Sequence, residues 1–217
     1  MIGLRTDVDL RLPYELKVEA RGRLEQTDVT LHHLPFAVPG THQAGPATPI
    51  LQQADPIVSH YVDYLSSSTT SVAGGVQVLA RPEALPAVVH CTAGKDRTGI
   101  AGAMTLAAVG YANDDIATMY AAGAHTVAEV MARLRTMRSY GDSIAKLPPE
   151  AGLTPPDYIS RIFAIVDSRY GSRRDYLKLH GVTDDELHGL FERLTEPLPP
   201  EDTPGPNAAR PRQAGPA

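Results

Sequence analysis

The chain contains one cysteine, Cys91, and no tryptophan among its 217 residues. A single cysteine excludes an internal disulfide framework, fits a reducing compartment, and leaves no second thiol to trap an oxidised Cys91. No apolar run approaches the roughly 20 residues of a membrane-spanning helix. Residues 1–12 hold Arg5, Asp7, Asp9 and Arg11 in place of an apolar signal segment. These absences set the expectation of a cytoplasmic protein; export by a route without a cleaved signal leaves no trace in a sequence. Excess positive charge is also missing. The formal net charge is −5, which gives no reason to expect nucleic acid or a general membrane surface as a partner. His32, His33, His42, His60, His125, His180 and His188 show no metal-site spacing, and no Gly-rich nucleotide loop is present. Neither a metal nor a cofactor is expected.

What is there concentrates in residues 90–99, which read His90-Cys91-Thr92-Ala93-Gly94-Lys95-Asp96-Arg97-Thr98-Gly99. Five residues separate Cys91 from Arg97, about the length needed to wrap backbone N–H groups around a tetrahedral oxyanion. A guanidinium closing such a turn can grip two of the anion's oxygens. The apolar run 87–89 before the loop predicts a strand, and residues 100–109 after it predict a helix. Donors at that helix N-terminus favour a phosphate dianion and activate the Cys91 thiol by the same field. Gly94 and Gly99 give the loop its backbone freedom and close approach. An anion-binding loop beside an inert buried cysteine is the plainer alternative, but it does not require this residue set.

The ten residues resemble the signature loop of the Cys-X5-Arg protein tyrosine phosphatases. The Gly-Lys-Asp-Arg-Thr-Gly ending is similar to that of the atypical bacterial branch, which includes the mycobacterial tyrosine phosphatase B type. Lipid phosphatases carry a similar loop with a lysine before the arginine. Weaker echoes are Val8-Asp9-Leu10-Arg11 followed by Glu15, then His33-Leu34-Pro35-Phe36, and Tyr170-Gly171, Tyr176-Leu177 and Gly181-Val182 near the other end. The resemblance implies a hydrolase of phosphomonoesters. Cys91 would be the nucleophile of a phosphocysteine intermediate and Arg97 a two-pronged phosphate ligand. Thr92, Ala93, Gly94, Lys95, Thr98 and Gly99 would line the phosphate cradle. The Thr98 hydroxyl would donate to the Cys91 sulfur, and His90 would fix the loop from behind it.

The family's usual proton donor is an aspartate on a loop after the Leu-Pro-Phe strand. Here residues 37–42 carry no carboxylate, and the next one is Asp55. Asp96 lies inside the loop, so it is the expected acid and base, with Asp55 second and His42 third; a structural carboxylate paired with an arginine is the alternative for Asp96. Lys95 adds a cation that suits either the thiolate or a polyanionic headgroup. The expected substrate is therefore a phosphotyrosine protein, with phosphoserine and phosphothreonine as further candidates. A phosphoinositide is the alternative, and a phosphate-binding module without turnover is a third reading. Arg133, Arg135, Arg138, Arg169, Arg173 and Arg174 read as solvated helix faces rather than a substrate groove.

Along the chain, strands are expected at 7–10, 29–34 and 87–89, and helices at 14–24, 57–65, 72–79 and 100–109. Asn113 is expected to cap a helix reaching about residue 120, and Thr183 with Glu186 to form a capping box for 184–194. Residues 37–56, rich in proline and glycine, read as a long loop, and 196–217 as a disordered tail. Strands first and helices later predict an α/β domain over residues 1–195, a small central sheet with helices on both faces and a helical C-terminal half. Relatives carry a segment contributing strands ahead of the Val-Asp-Leu-Arg strand. Only residues 1–7 precede Val8 here, so either the start is misplaced or a sheet edge is missing.

Overall fold

The computed structural model describes residues 3–38, 55–144 and 154–195. His42, most of the expected 37–56 loop and the expected tail lie outside these residues.

Three strands form one parallel sheet in the order β2-β1-β3: β1 is Thr6–Asp9, β2 is Thr30–His33 and β3 is Ala87–His90. Asp9 is level with His33 on one side and with His90 on the other, so all three strands end together. All four residues of β1 are at most 3% exposed. Successive side chains of a strand point to opposite faces, so both faces of the sheet are covered, as expected of an α/β domain.

The first helix is shorter than its periodicity suggests. α1 spans Pro13–Glu19, with Pro13 opening it. Ala20 then takes a left-handed φ of 55° and Gly22 one of 60°, and a 3-10 turn, Gly22–Gln26, follows. Between those two positions Arg21 reaches back to Asp7 Oδ2, at 3.2 and 3.1 Å, and to the Val29 carbonyl. That long-range grip accompanies the early end of the helix.

α2 (Pro56–Ser67) and α3 (Thr69–Leu79) are divided at Ser68 alone rather than across residues 66–71. The Ser68 hydroxyl donates to the Ala37 carbonyl and accepts from the Ala37 N–H, while Ser71 donates to the Pro35 carbonyl. The hydroxyl-rich turn thus ties down the chain leaving β2.

After β3 the described chain is helical: α4 (Asp96–Ala108), α5 (Asn113–Ala121), α6 (Val127–Arg135), α7 (Gly141–Ile144), α8 (Asp157–Tyr170), α9 (Arg173–Leu179) and α10 (Asp184–Leu194). Asn113 is the first residue of α5 and not its cap; Ala112 takes the cap position. Thr183 and Glu186 do form the expected capping box of α10. Arg173 on α9 pairs with Asp167 on α8 and Arg174 with Asp184 on α10, so these two arginines are spent on neighbouring helices rather than on a substrate groove. The core runs from Val8, Leu10 and Phe36 through Tyr61, Ile100 and Met104 to Ile159, Ile162, Leu177 and Leu190. No helix among the described residues is long and apolar enough to cross a membrane.

Candidate active site

The loop after β3 and the start of α4 lie at the carboxyl ends of the strands, where open α/β sheets bind ligands. Cys91 is the first residue beyond β3 and is 7% exposed. Thr92 and Ala93 are half-buried in the turn that follows, and Gly94 has a φ of +69°, which suits glycine. α4 begins at Asp96, four residues earlier than the apolar pattern alone suggests. Its first helical hydrogen bond runs from the Gly99 N–H to the Lys95 carbonyl at 2.7 Å. The N–H groups of Asp96, Arg97 and Thr98 therefore have no acceptor within the helix, and they gather partial positive charge beside Cys91.

Arg97 is 6% exposed and points into the fold. Its Nη1 lies 2.6 Å from Glu15 Oε2 and its Nη2 2.9 Å from Glu15 Oε1. Nη1 also meets the Leu10 carbonyl at 3.3 Å, and Nη2 meets the Tyr140 hydroxyl at 3.0 Å. The two-pronged contact expected with phosphate is thus made with Glu15, and Nε–H has no partner among the described residues. Glu15 is fully buried and gathers three more donors, from the Leu12 N–H, the Tyr140 hydroxyl and the Thr92 hydroxyl. Burial alone would push its carboxyl up. The hydrogen bonds and positive charge of Arg97, with Thr92 and Leu12, outweigh this and bring it to about 2. The same partnership holds the Arg97 guanidinium well above its ordinary value against the opposing effect of burial.

The Val8-Asp9-Leu10-Arg11 stretch explains how Glu15 arrives there. Asp9, fully buried, accepts from the Arg11 N–H at 2.9 Å and from its guanidinium at 2.9, 3.0 and 2.6 Å. His33 Nε2 meets the Arg11 carbonyl at 2.8 Å. This closed turn swings the chain from β1 into α1 and sets Glu15 under the loop that carries Cys91.

His90 lies between two acceptors. Its Nδ1 is 2.9 Å from the Cys91 carbonyl and its Nε2 is 2.9 Å from Asp7 Oδ1. A carbonyl and a carboxylate only accept, so both contacts are hydrogen bonds together only when the ring carries both protons. The hydrogen bond to Asp7 raises the His90 pKa against the opposing effect of burial. Burial would raise Asp7 in turn, but His90 and Arg21 hold it below its ordinary value.

Asp96 is ringed differently. Its Oδ1 accepts from the Tyr61 hydroxyl and, at 2.7 Å, from Lys95 Nζ, so its partner is a lysine rather than an arginine. Lys95 is folded onto this carboxylate with its side chain 13% exposed. Gly99 leaves room for Tyr120: a Cβ there would lie 2.7 Å from the Tyr120 ring. His60 Nε2 and the Tyr64 hydroxyl, 2.9 Å apart, complete the wall. Burial pushes the Tyr64 hydroxyl up; Arg97 opposes this, while Asp96, Cys91 and Glu15 add to it. The Thr98 hydroxyl is buried and has no hydrogen-bond partner among the described residues, so the expected donation to the Cys91 sulfur is not made.

Asp55 stands apart from this cluster. Its Oδ1 caps α2 by accepting from the Ile57 N–H at 3.0 Å, and its Oδ2 pairs with Arg161 at 3.1 Å.

Glu15, Asp7, Tyr61, Tyr64, Tyr120 and Tyr140 were not expected as site residues. Glu15 carried a positional signal, its fixed place after the Val-Asp-Leu-Arg stretch.

Comparison with known proteins gives one consistent picture. The family model described as the tyrosine phosphatase family matches residues 1–196. A tyrosine-protein phosphatase of Nostoc commune is 27% identical over 202 residues, covering 89% of this chain and 67% of that protein. The triple specificity protein phosphatase PtpB of Mycobacterium tuberculosis is 29% identical over 116 residues, covering 48% of this chain and 42% of that protein. The chain thus spans about two thirds of the first relative's length and under half of the second's.

Proposed function

Because the chain belongs to the tyrosine phosphatase family, we propose that it hydrolyses phosphotyrosine in proteins through a phosphocysteine formed on Cys91. The observation that carries this reading is the pairing of Cys91 at the N-terminus of α4 with a buried Arg97 whose plane is fixed by Glu15. The thiolate attacks phosphorus and the bond to the tyrosyl oxygen breaks. That oxygen takes a proton from Asp96. Water then attacks the phosphocysteine, gives its proton to Asp96, and releases phosphate and the thiolate.

Arg97 meets Glu15 end-on through Nη1 and Nη2. Its side-on fork, Nε–H with the second Nη2 hydrogen now given to Tyr140, is the pair that takes two phosphoryl oxygens. Asp96 is preferred to Asp55 as the acid because both Asp55 oxygens are already committed to a helix cap and an ion pair.

The place of Lys95 bears on the substrate. A lysine bound to Asp96 serves the acid rather than a distant phosphate, which favours phosphotyrosine over a phosphoinositide. Phosphoserine and phosphothreonine remain further candidates; the mycobacterial relative is named for a specificity wider than one substrate. A free-thiol nucleophile in a chain with one cysteine suits a reducing compartment, and we place the protein in the cytoplasm.

The test is phosphate release from a phosphotyrosine peptide, a phosphoserine peptide and a phosphoinositide, with Cys91→Ser as control. Turnover should be fastest on the phosphotyrosine peptide and abolished in Cys91→Ser. Residual activity within about tenfold of wild type in that variant would overturn the covalent mechanism.

A further inference from the structure

Tyr61 on α2 is fully buried, yet its hydroxyl is not spent on the core. It bonds Asp96 Oδ1 and lies 2.8 Å from the Tyr120 hydroxyl. The direction of this chain follows from valence. An ionised carboxylate only accepts, so the single Tyr61 hydrogen goes to Asp96 and Tyr120 must donate to Tyr61. Lys95 Nζ reaches the same Oδ1 from the other side at 2.7 Å. Two donors therefore converge on one oxygen of Asp96, while Oδ2 has no partner among the described residues.

We infer that Tyr61 is the positioning residue of the proton donor: backed by Tyr120, it pins Asp96 Oδ1 and reserves Oδ2 for the proton passed to the leaving oxygen. The inference rests on the reading of Asp96 as acid and base. A carboxyl delivers its proton only from the oxygen that faces the leaving group, and rotation about its Cβ–Cγ bond exchanges the two oxygens. Placing the proton on Oδ1 would displace one of its two hydrogen bonds and weaken the other, whereas placing it on Oδ2 displaces none.

The packing keeps Tyr61 in place. Its ring stands edge-on to Tyr120 at 6.5 Å and to Tyr158 at 6.3 Å, and Gly99 gives Tyr120 the space to lie there. Burial, with the charge of Asp96 adding to it, raises the Tyr61 phenol far above its ordinary value. Tyr61 thus remains a donor through the working range and is not itself the proton source. Phenylalanine would fill the same space, so the hydroxyl is what the role requires.

The test compares phenyl phosphate, whose leaving group needs a proton, with 4-nitrophenyl phosphate, whose leaving group needs little. Tyr61→Phe should lower kcat/KM, which reports the step that expels the leaving group and not the later breakdown of the phosphocysteine, by roughly tenfold or more on phenyl phosphate and much less on 4-nitrophenyl phosphate, with the melting temperature as a control on folding. Asp96→Asn should show the same selectivity more strongly, and Tyr61→Phe added to Asp96→Asn should bring no further selective loss. If Asp96→Asn is selective and Tyr61→Phe slows both esters equally or neither, the positioning role is overturned while the acid survives. If Asp96→Asn is itself unselective, the acid reading falls and the inference with it. Tyr120→Phe, which removes only the donor behind Tyr61, provides the same contrast should Tyr61→Phe fail to fold.

Discussion

Replacing Glu15 by glutamine changes one atom type in a site that is 0% exposed and should have a large effect. Glu15 receives Arg97 through both terminal nitrogens, at 2.6 and 2.9 Å, together with the Leu12 N–H at 2.6 Å and the Tyr140 hydroxyl at 2.7 Å. Glutamine keeps one accepting oxygen but turns an NH2 group toward donors, and it leaves the Arg97 charge buried without a counter-charge. Removing one member of a buried pair costs about 3–5 kcal/mol. The carboxyl provides a second route to the magnitude. Held at about 2 in the folded chain against an ordinary 4.5, it contributes roughly 3 kcal/mol of stability at neutral pH. Its pKa is depressed on folding, so this contribution is complete above 4.5 and is lost as pH falls through about 2. Urea unfolding of both proteins at neutral pH should show the full deficit of about 3 kcal/mol or more, and the gap should narrow through the acid range. Activity on an aryl phosphate should fall as well, because Arg97 loses its fixed plane. A deficit below about 1 kcal/mol, or one independent of pH, would refute the argument.

Two further outcomes follow from the same geometry. Asp7→Asn removes the anion beside His90 and Arg21. His90 has a raised pKa in the fold, so its stabilisation is complete below 6.5 and is lost as pH rises through the folded value. Thermal melts across neutral pH should show wild-type stability declining on the alkaline side, and the variant should lack that slope; identical slopes would contradict a doubly protonated His90 ring. Gly99→Ala places a Cβ 2.7 Å from the Tyr120 ring, so it should cost about 1–3 kcal/mol by overpacking and loosen the Tyr120–Tyr61 contact, whereas an unchanged melt would show that the ring can yield.

Much of the architecture is legible in the sequence because it is local. The three strands, the helix after the catalytic loop and the Thr183–Glu186 box all rest on neighbours within a few residues. The 14–24 helix misleads because its apolar spacing continues past Ala20, whereas the backbone turns left-handed there and Arg21 bonds Asp7 fourteen residues away. Glu15 and Asp7 are hidden for the same reason. Their partners Arg97 and His90 lie 82 and 83 residues further along, and an acidic residue early in a helix reads as a solvated one. Composition did hold a clue. Nine tyrosines against three phenylalanines and no tryptophan favour aromatic groups with a polar end. Tyr61, Tyr120 and Tyr140 bond around the catalytic loop, and Tyr176 bonds the Leu65 carbonyl in the core.

The central claim is that Cys91 carries the phosphoryl group. Mixing enzyme with 4-nitrophenyl phosphate, quenching in acid and weighing the peptide that contains Cys91 tests it directly, and Asp96→Asn should help the intermediate build up because breakdown by water then lacks its base. A phosphoryl mass increment on Cys91, absent in Cys91→Ser, is the predicted result; turnover with that peptide unmodified, or with the phosphoryl group on another residue, would contradict it.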